Sequence, residues 1–317
     1  MGKIAFIFPG QGAQFVGMGK DFYENFSTSK EVYEEANDSL GMDMKKICFE
    51  GPDEELIKTE NTQPAILTTS VAMLKALEER GIHCDYAAGL SLGEYTALVS
   101  AEAMSFSEAV PLVKKRGKYM QEAVPLGKGG MAAILGLEKE KVLEAIHSVS
   151  KYGIVEIANY NSPGQIVISG EIEAVNLAAE EAKKLGAKKV VLLPVSAPFH
   201  SSLLKPAGEK LKEELGKVKI NDLKEVVVTN VDAKPLVDKS EVVPSLVRQV
   251  SNSVLWCDSV NTMLDSGVDT FIEIGPGKSL TGFVKRIAKT ANKEVNTFSV
   301  SNIEGFEKIC DFFDKEA

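Results

Sequence analysis

Short apolar runs alternate with amphipathic segments along the first 126 residues. KIAFIF near the start predicts a buried strand, followed by the glycine-rich loop PGQGAQFVGMG and a helix from about Lys20. AILTTSVAMLKALEER predicts a further helix that ends at Gly81, and DYAAG predicts the next strand. Strands that alternate with helices indicate a largely parallel sheet with both faces covered.

The pattern changes over residues 127–196, after the glycine-rich segment PLGKGG. Its apolar periodicity predicts, in order, a strand, a helix, two strands, a helix and a strand: MAAILGL, EKEKVLEAIHSV, IVEIANY, QIVISG, EIEAVNLAAEEAKKL and KVVLLPV. The order β-α-β-β-α-β is that of a ferredoxin-like unit. We therefore expect a small ferredoxin-like subdomain at 127–196, inserted into a large α/β domain formed by 1–126 and 197–317.

The earlier alternation returns after the insertion. The residues predict a helix near Leu203 to Leu215, the strand EVVVTNV, two helices, the strand DTFIEI, the turn GPGKS, a helix and a last strand near NTFSV. GPGKS resembles the end of a phosphate-binding loop, but Ile272 stands where that motif needs a glycine, so we interpret it as a strand-to-helix turn.

Charge and cysteine usage narrow the class of protein. The formal net charge of −9 argues against general nucleic-acid binding, which requires a basic surface. No apolar run approaches the length of a membrane span, and residues 1–10 do not have the pattern of a signal peptide. The four cysteines have neither metal-site nor disulfide spacing. We expect a cytoplasmic protein that binds no metal and no membrane.

GLSLGEY, at residues 89–95, places Ser91 between two glycines where a strand should end and a helix begin. G-x-S-x-G at such a junction is the pattern of a nucleophile elbow, in which the glycines permit a strained turn and the helix N-terminus stabilises negative charge. A serine that merely caps the helix is the alternative. The buried strand before it and the helix after it favour the nucleophile.

A serine nucleophile needs a base, and the chain has only three histidines. His83 lies at the start of the strand that ends in the elbow, so we expect it at the opposite end of the sheet. His147 falls on a helix of the insertion. His200 follows a predicted strand in SAPFHSSL, where the chain re-enters the large domain, and it is placed to meet Ser91.

No aspartate lies between Ser91 and His200, which departs from the usual hydrolase order of serine, acid and histidine. A later acid, a backbone carbonyl or an amide side chain could each hold the imidazole tautomer. The missing acid weakens an ordinary esterase interpretation.

Arg116 falls in the middle of an apolar helical stripe in SFSEAVPLVKKRGKYMQEAV. A guanidinium on an inward face is costly unless an anion meets it. The partner is either an acidic residue of the chain or a substrate carboxylate, for which the planar fork of arginine is suited. PGQGAQ also has two interpretations, because its backbone N–H groups could bind a phosphate or an oxyanion beside the elbow.

Motifs in a fixed order carry a family resemblance across nearly the whole chain. They are FPGQGAQ, GLSLGEY, KKRGKYMQ, MAAILG, ANYNSPGQIVISG, SAPFHSSLL, RQVSNSVLW and FIEIGPGKSLTG. Together they resemble the malonyl-CoA:acyl carrier protein transacylases of fatty-acid synthesis. The resemblance implies an α/β-hydrolase-like core with a ferredoxin-like insertion. The elbow departs from the more usual GHSLGEY of the family, because Leu90 stands in place of histidine.

The resemblance also implies roles in catalysis. Ser91 would carry the malonyl group as an ester, and His200 would act as general base and then as general acid. Backbone N–H groups of Gln11 and Leu92 would form the oxyanion hole. A main-chain carbonyl near Gln249 would orient the histidine, which fits the missing acid.

Four further residues are implied to bind the substrate. Arg116 would hold the free malonyl carboxylate, Met120 and Phe199 would shape the pocket, and Asn159 would line and support it. The implied partners are malonyl-CoA and acyl carrier protein, with no cofactor beyond these thioesters, and we expect a monomer. We expect the acidic carrier to dock on lysines of the insertion together with Lys285 and Arg286.

Two other functions stay open on the sequence. A serine esterase would share Ser91 and His200 without needing a buried arginine or a carrier. A non-catalytic carrier-binding protein would keep the fold and form no acyl-enzyme.

Overall fold

A five-stranded parallel sheet forms the centre of the larger part of the protein. The computed structural model describes residues 2–195 and 197–316. The strands are β1 (Lys3–Phe8), β2 (Tyr86–Gly89), β7 (Val226–Val228), β8 (Val268–Ile274) and β9 (Asn296–Val300), in the spatial order β7-β2-β1-β8-β9. Every pairing in this sheet is parallel.

Alternate side chains of β1 explain why its sequence is continuously apolar. Phe6 and Phe8 pack into a core on one face of the sheet, whereas Ala5 and Ile7 pack into a second core on the other face. Successive side chains of a strand point to opposite faces, so a strand covered on both sides must be apolar at every position.

Helices cover both faces of this sheet. They are α1 (Lys20–Asn25), α2 (Ser27–Leu40), α3 (Met44–Glu50), α4 (Asp53–Leu56), α5 (Thr59–Glu79), α6 (Gly93–Ser100), α7 (Phe106–Glu122), α10 (Lys205–Leu215), α11 (Val242–Gln249), α12 (Trp256–Asp265), α13 (Ser279–Thr290) and α14 (Ile303–Glu316). Short 3-10 helices occur at Ser150–Tyr152, Ser202–Leu204 and Lys239–Glu241.

A four-stranded antiparallel sheet forms between α7 and α10. It consists of β3 (Gly129–Leu135), β4 (Val155–Ser162), β5 (Gln165–Glu171) and β6 (Lys189–Leu192), in the order β4-β5-β3-β6. Helices α8 (Lys139–Ser148) and α9 (Ile172–Lys184) pack on it and share a separate apolar core with it. This element order and strand order are those of a ferredoxin-like unit. The predicted α/β fold with a parallel sheet and this insertion is confirmed.

Hydrogen bonds from β4 connect the antiparallel sheet to the larger part of the protein. The Tyr160 N–H donates to the Val254 carbonyl oxygen at 2.9 Å, and the Val254 N–H donates to the Ala158 carbonyl oxygen at 2.8 Å. Arg286 on α13 donates to the Ser162 hydroxyl at 3.0 Å. These bonds bring the ANYNS segment of β4 beside the carboxyl ends of the parallel strands.

Helix α5, strand β7 and helix α14 differ from the sequence prediction, and the short helices α3 and α4 were not predicted. Helix α5 begins at Thr59 rather than at Ala65, and Pro64 lies inside it. Strand β7 covers only Val226–Val228 of the predicted EVVVTNV, since the chain turns immediately afterwards. Helix α14 after β9 was not predicted; its apolar side packs on the large core through residues such as Phe306 and Ile309.

The expectations about the cysteines and about membrane-spanning segments can be compared with the structure. All four cysteines are free. Across residues 2–195 and 197–316, no helix combines the length and the apolar character that crossing a membrane would require.

Candidate active site

The serine of GLSLGEY sits on a strained turn between β2 and α6. Ser91 has a φ of 54°, in the left-handed region that residues with a side chain seldom adopt. Gly89 and Gly93 permit the turn, because a Cβ on Gly89 would lie 1.9 Å from the Gly93 carbonyl carbon. A Cβ on Gly93 would lie 2.1 Å from the Phe8 carbonyl oxygen. The glycines thus let the turn pack closely while it presents Ser91.

Asn230, just after β7, stabilises this turn through hydrogen bonds of its side-chain amide. The Ser91 N–H donates to Asn230 Oδ1 at 2.7 Å, and Asn230 Nδ2 donates to the Gly89 carbonyl oxygen at 2.7 Å. The asparagine therefore satisfies two backbone groups of a non-helical, buried segment, as such groups require. It was absent from the predicted site, because it falls in a stretch predicted as strand.

His200 meets Ser91 from the loop after β6. Its Nε2 lies 2.7 Å from Ser91 Oγ, and its Nδ1 lies 2.9 Å from the Gln249 carbonyl oxygen. A carbonyl only accepts, so Nδ1 carries the proton and Nε2 is left to accept from the serine hydroxyl. This is the arrangement of a serine and its general base, with a backbone carbonyl in place of an acid. His83 and His147 are exposed and lie outside the site.

Burial keeps His200 neutral. Desolvation, followed by the nearby charge of Arg116, lowers the pKa of His200 from 6.5 to about 4. The hydrogen bond to the Gln249 carbonyl acts in the opposite direction. The imidazole is therefore unprotonated near neutral pH and can accept the proton of Ser91.

Arg116 lies on the inner face of α7, whose first turn is capped by Ser105. The residue is 1% exposed. Its Nη1 donates to Gln63 Oε1 at 2.7 Å, and its Nη2 donates to Gln249 Oε1 at 2.8 Å and to Ser91 Oγ at 3.0 Å. The guanidinium therefore lies against the nucleophile itself.

The partners of Arg116 are uncharged. Within residues 2–195 and 197–316, no carboxylate oxygen lies within 4.0 Å of its guanidinium nitrogens. The Tyr95 ring centroid lies 5.3 Å from its Cζ, a cation-π distance. Burial lowers the pKa of Arg116, yet an arginine stays protonated in proteins. The structure therefore does not support the direct intramolecular ion pair considered for this residue.

A cavity of about 170 Å³ opens in front of Ser91 and His200. Its walls include six other predicted site residues: Gln11, Leu92, Arg116, Met120, Asn159 and Phe199. Gln249 lies behind the cavity and reaches the site through its hydrogen bonds. The fold thus brings together all nine predicted site residues, which come from loops, helices and strand β4.

The predicted oxyanion donors line this cavity. Among the described residues, neither the Gln11 N–H nor the Leu92 N–H donates to a backbone or side-chain acceptor of the chain. Leu92 also immediately precedes the N-terminus of α6, where negative charge is stabilised. Both amides are therefore available for an oxyanion.

Three contributors to the site were missing from the sequence prediction. Besides Asn230, Gln63 orients Arg116, and Glu94 hydrogen-bonds Gln249 Nε2 at 2.8 Å. Gln63 falls in the first turns of α5, which the pattern did not predict as helix. Glu94 is part of the quoted GLSLGEY, so a sequence signal was present.

Comparison with known proteins agrees with this geometry. Residues 5–304 match the model of the acyl transferase domain family. A malonyl CoA-acyl carrier protein transacylase of Bacillus subtilis is 49% identical over 308 residues, covering 97% of this chain and 96% of the relative. The chain belongs to the malonyl CoA-acyl carrier protein transacylase family of acyl transferases.

Solved structures of other transacylases have the same fold. A malonyl CoA-acyl carrier protein transacylase from Clostridium perfringens matches with a TM-score of 0.95 at 50% identity, covering 99% of this chain and 98% of that chain. A malonyl-transacylase in complex with its type II PKS acyl-carrier protein matches with a TM-score of 0.94 at 41% identity, covering 98% and 99%. The family resemblance inferred from the motifs is confirmed.

Proposed function

We propose that this acyl transferase moves the malonyl group of malonyl-CoA to the phosphopantetheine thiol of acyl carrier protein, through a malonyl ester on Ser91, in type II fatty-acid synthesis. One observation carries the proposal: a buried arginine with uncharged partners donates to the nucleophile at 3.0 Å. Relatives named as malonyl CoA-acyl carrier protein transacylases support the same substrate pair.

Acylation begins at the bond between Ser91 and His200. Ser91 Oγ attacks the thioester carbonyl carbon while its proton passes to His200 Nε2, 2.7 Å away. The carbonyl oxygen becomes an oxyanion that accepts from the Gln11 and Leu92 N–H groups. When the carbon–sulfur bond breaks, His200 returns the proton to the departing thiol, and the malonyl group remains as an ester on Ser91.

Transfer to the carrier reverses these steps with a different thiol. The phosphopantetheine thiol gives its proton to His200 as its sulfur attacks the ester carbonyl. The serine–acyl bond then breaks, and Ser91 Oγ recovers the proton from His200. No net acid or base is consumed, so a single neutral imidazole serves both halves of the exchange.

Arg116 selects the acyl group by its charge. Its Nε has no hydrogen-bond partner among the described residues, and its Nη2 already reaches the reacting oxygen. A malonyl carboxylate can pair with this guanidinium, whereas an acetyl group leaves it without an anion in a buried site. A hydrogen bond to a charged group contributes about 1.5–3 kcal/mol, so a carboxylate that adds such a bond to the Arg116 guanidinium is favoured over a methyl group that adds none.

A groove of about 690 Å³ leads to the cavity and shares Gln11, Leu193 and Val195 with it. We place the pantetheine arm of both thioesters in this groove. Exposed Leu126 and Ile57 lie on its wall, together with Lys58 and Lys118. The groove gives both thiols the same route, as an exchange reaction requires.

Several narrower statements stay predictions of the sequence. They are a cytoplasmic location, a monomeric state, the absence of a cofactor, the domain boundaries given above, and carrier docking near Lys285 and Arg286. Arg286 is exposed but already donates to Ser162 at 3.0 Å and to Gln165 at 3.2 Å. Charge reversal at Lys285 is therefore the cleaner test of the docking face, read as the apparent KM for carrier protein.

The decisive test follows the acyl group after it has reached Ser91. Malonyl-enzyme, freed of coenzyme A by rapid gel filtration, is mixed with carrier protein bearing phosphopantetheine or with the same carrier lacking it. We expect mass to move from enzyme to the pantetheinylated carrier only. Release of malonate in water at the same rate in both mixtures would indicate an esterase and contradict the proposal.

A further inference from the structure

Glu94 stands in the elbow motif, three residues after the nucleophile, and has no part in the chemistry described above. It lies in the first turn of α6 and is 1% exposed. A buried carboxylate is costly and is retained only where its hydrogen bonds are met. The partners of Glu94 therefore show what the site gains from it.

Both strong partners of Glu94 come from distant parts of the chain. Its Oε2 accepts from the Asn230 N–H at 3.0 Å and from Gln249 Nε2 at 2.8 Å. These partners lie 136 and 155 residues away in sequence. Glu94 therefore joins the turn after β7 and the end of α11 to the elbow.

Those two partners hold the nucleophile on both sides. Asn230 Oδ1 accepts from the Ser91 N–H at 2.7 Å, and Gln249 Nε2 donates to the Ser91 carbonyl oxygen at 2.9 Å. Ser91 has the strained φ of 54°, which persists only where the surroundings fix it. Glu94 fixes the two side-chain clamps that do so.

Gln249 extends the same network to the other two functional groups. Its Oε1 accepts from Arg116 Nη2 at 2.8 Å, and its backbone carbonyl oxygen lies 2.9 Å from His200 Nδ1. Glu94, which can only accept when ionised, and the Ser91 carbonyl oxygen both accept from the Gln249 amide nitrogen, and together they fix the orientation of the amide. The amide oxygen is thereby directed at Arg116.

Burial leaves Glu94 poorly stabilised as an anion. Burial raises its pKa to about 7, while the bonds from Gln249 and Asn230 and the charge of Arg116 act against that rise. Asp232 raises the pKa further. Tyr95 and Arg248 also interact electrostatically with it. Such a group is an expensive choice for packing alone.

Resting on the proposed function, we propose that Glu94 is a positioning residue for malonyl transfer. Through Asn230 and Gln249 it sets the distance between the nucleophile and the carboxylate-binding arginine. Glu94 contributes through the two hydrogen bonds that its carboxylate accepts, and through a side chain long enough to reach both donors. A side chain of equal length that still accepts should replace it, and one that cannot accept should not.

The matched variants are Glu94→Gln, which keeps the reach and an acceptor oxygen, and Glu94→Met, which keeps the length and volume but accepts nothing strongly. Glu94→Met leaves the Asn230 N–H and one N–H of the Gln249 amide without this acceptor, so we expect it to lower the free energy of unfolding as well. Glu94→Asp, which withdraws the carboxylate by one methylene, is the second variant if Glu94→Met does not fold. Thermal unfolding establishes the folded state of each.

A second buried glutamate provides the control. Glu273 is fully buried and accepts from the N–H groups of Leu280 and Thr281 at the start of α13, and neither of these bonds reaches Ser91 or Arg116. Glu273→Gln and Glu273→Met repeat the same chemical changes outside the network. They can lower the melting temperature, and we expect them to leave the preference for malonyl over acetyl unchanged.

The readout is the initial rate of Ser91 ester formation, by intact mass, from malonyl-CoA and from acetyl-CoA. We expect Glu94→Met to lower the malonyl rate by about tenfold or more and to reduce the malonyl-to-acetyl ratio severalfold, as the loss of a charged hydrogen bond predicts. Glu94→Gln should keep both within about threefold. The ratio matters because a purely structural role would not change it in folded protein.

Two outcomes overturn the proposal. One is a folded Glu94→Met or Glu94→Asp enzyme with the rate and ratio of the wild type. The other is a Glu94→Gln enzyme that loses as much as Glu94→Met, since the carboxylate charge would then matter rather than the hydrogen bonds. Failure of the wild type to form a malonyl ester would instead refute the proposed function, so the two failures are distinguishable.

Discussion

Two turns at the same edge of the parallel sheet look alike in sequence. Residues 89–93 join β2 to α6, and residues 275–279 join β8 to α13. Each follows a buried strand, contains two glycines, departs from ordinary backbone geometry and leads into a helix. Each also has a buried glutamate nearby, Glu94 in the first and Glu273 in the second.

The hydrogen-bond partners of the two glutamates distinguish the turn of the active site from the turn that only supports a helix. Glu273, on β8, accepts from the Leu280 and Thr281 N–H groups, seven and eight residues away, and so caps α13, the next helix along the chain. Glu94 instead accepts from groups 136 and 155 residues away. Convergence of distant side chains on one turn, and not the turn itself, distinguishes the active site.

The largest effect should come from the serine of the first turn. Ser91→Ala removes the nucleophile, so no acyl-enzyme should form and transfer should fall by about 10⁴-fold or more. Ser279→Ala makes the same change in the second turn, at an exposed position, and should leave transfer unchanged. Steady-state transfer to carrier protein measures both. Equal losses would mean that the comparison between the turns is wrong.

Arg116→Ala should have the next largest effect and should act on one substrate. We expect malonyl transfer to fall about 100-fold, because a charged hydrogen bond to the carboxylate is lost, with a smaller loss for acetyl. Arg80→Ala is the control, since Arg80 is exposed and its ion pair with Asp314 is long, with 3.8 Å between Nη2 and Oδ2. Labelling rates with the two thioesters measure the ratio. An unchanged ratio would remove Arg116 from substrate selection.

The pH profile of the free enzyme should reflect the burial of His200. The neutral imidazole is the base, and its pKa is lowered from 6.5 to about 4. The rate should therefore persist below pH 6 and be lost as the pH falls through about 4. Labelling of Ser91 by a neutral fluorophosphonate in the Glu94→Gln enzyme avoids titration of the substrate carboxylate and of Glu94, whose pKa is raised to about 7. A midpoint near 6.5 would show that His200 is not desolvated as described.

The smallest effect should arise far from either turn, at the start of the helix that carries Arg116. Ser105 Oγ accepts from the Glu108 N–H at 3.3 Å and donates to Glu108 Oε2 at 2.6 Å. Ser105→Ala should lower the free energy of unfolding by about 1 kcal/mol without changing malonyl preference. Ser107→Ala, also exposed, should cost less than about 0.5 kcal/mol. Chemical denaturation measures both unfolding free energies. A change in the preference for malonyl over acetyl would contradict the claim that this helix cap acts on stability and not on substrate selection.

Local patterns were enough to predict the fold. Strand β1 is continuously apolar because its alternate side chains pack into two different cores. The β-α-β-β-α-β order of the insertion is visible in the periodicity of its apolar residues. Ser91 and His200 followed from the elbow and from the scarcity of histidine. Arg116 followed from one polar residue in an apolar stripe.

The network behind the site could not be predicted in this way. Asn230 was placed in a strand because VVVTN has β propensity, yet the chain turns there and the side chain bonds Ser91 across 139 residues. Gln63 lies before the periodic part of α5, next to a proline that obscured the helix. Periodicity describes neighbours along the chain, whereas these contacts depend on tertiary packing.

The central claim is tested most directly by intact mass after brief mixing of the wild type with malonyl-CoA and, separately, with acetyl-CoA. The account predicts a malonyl adduct that is absent from Ser91→Ala, forms at least about tenfold faster than the acetyl adduct, and outlasts the mixing time. Absence of an adduct, or equal labelling by the two thioesters, would contradict it.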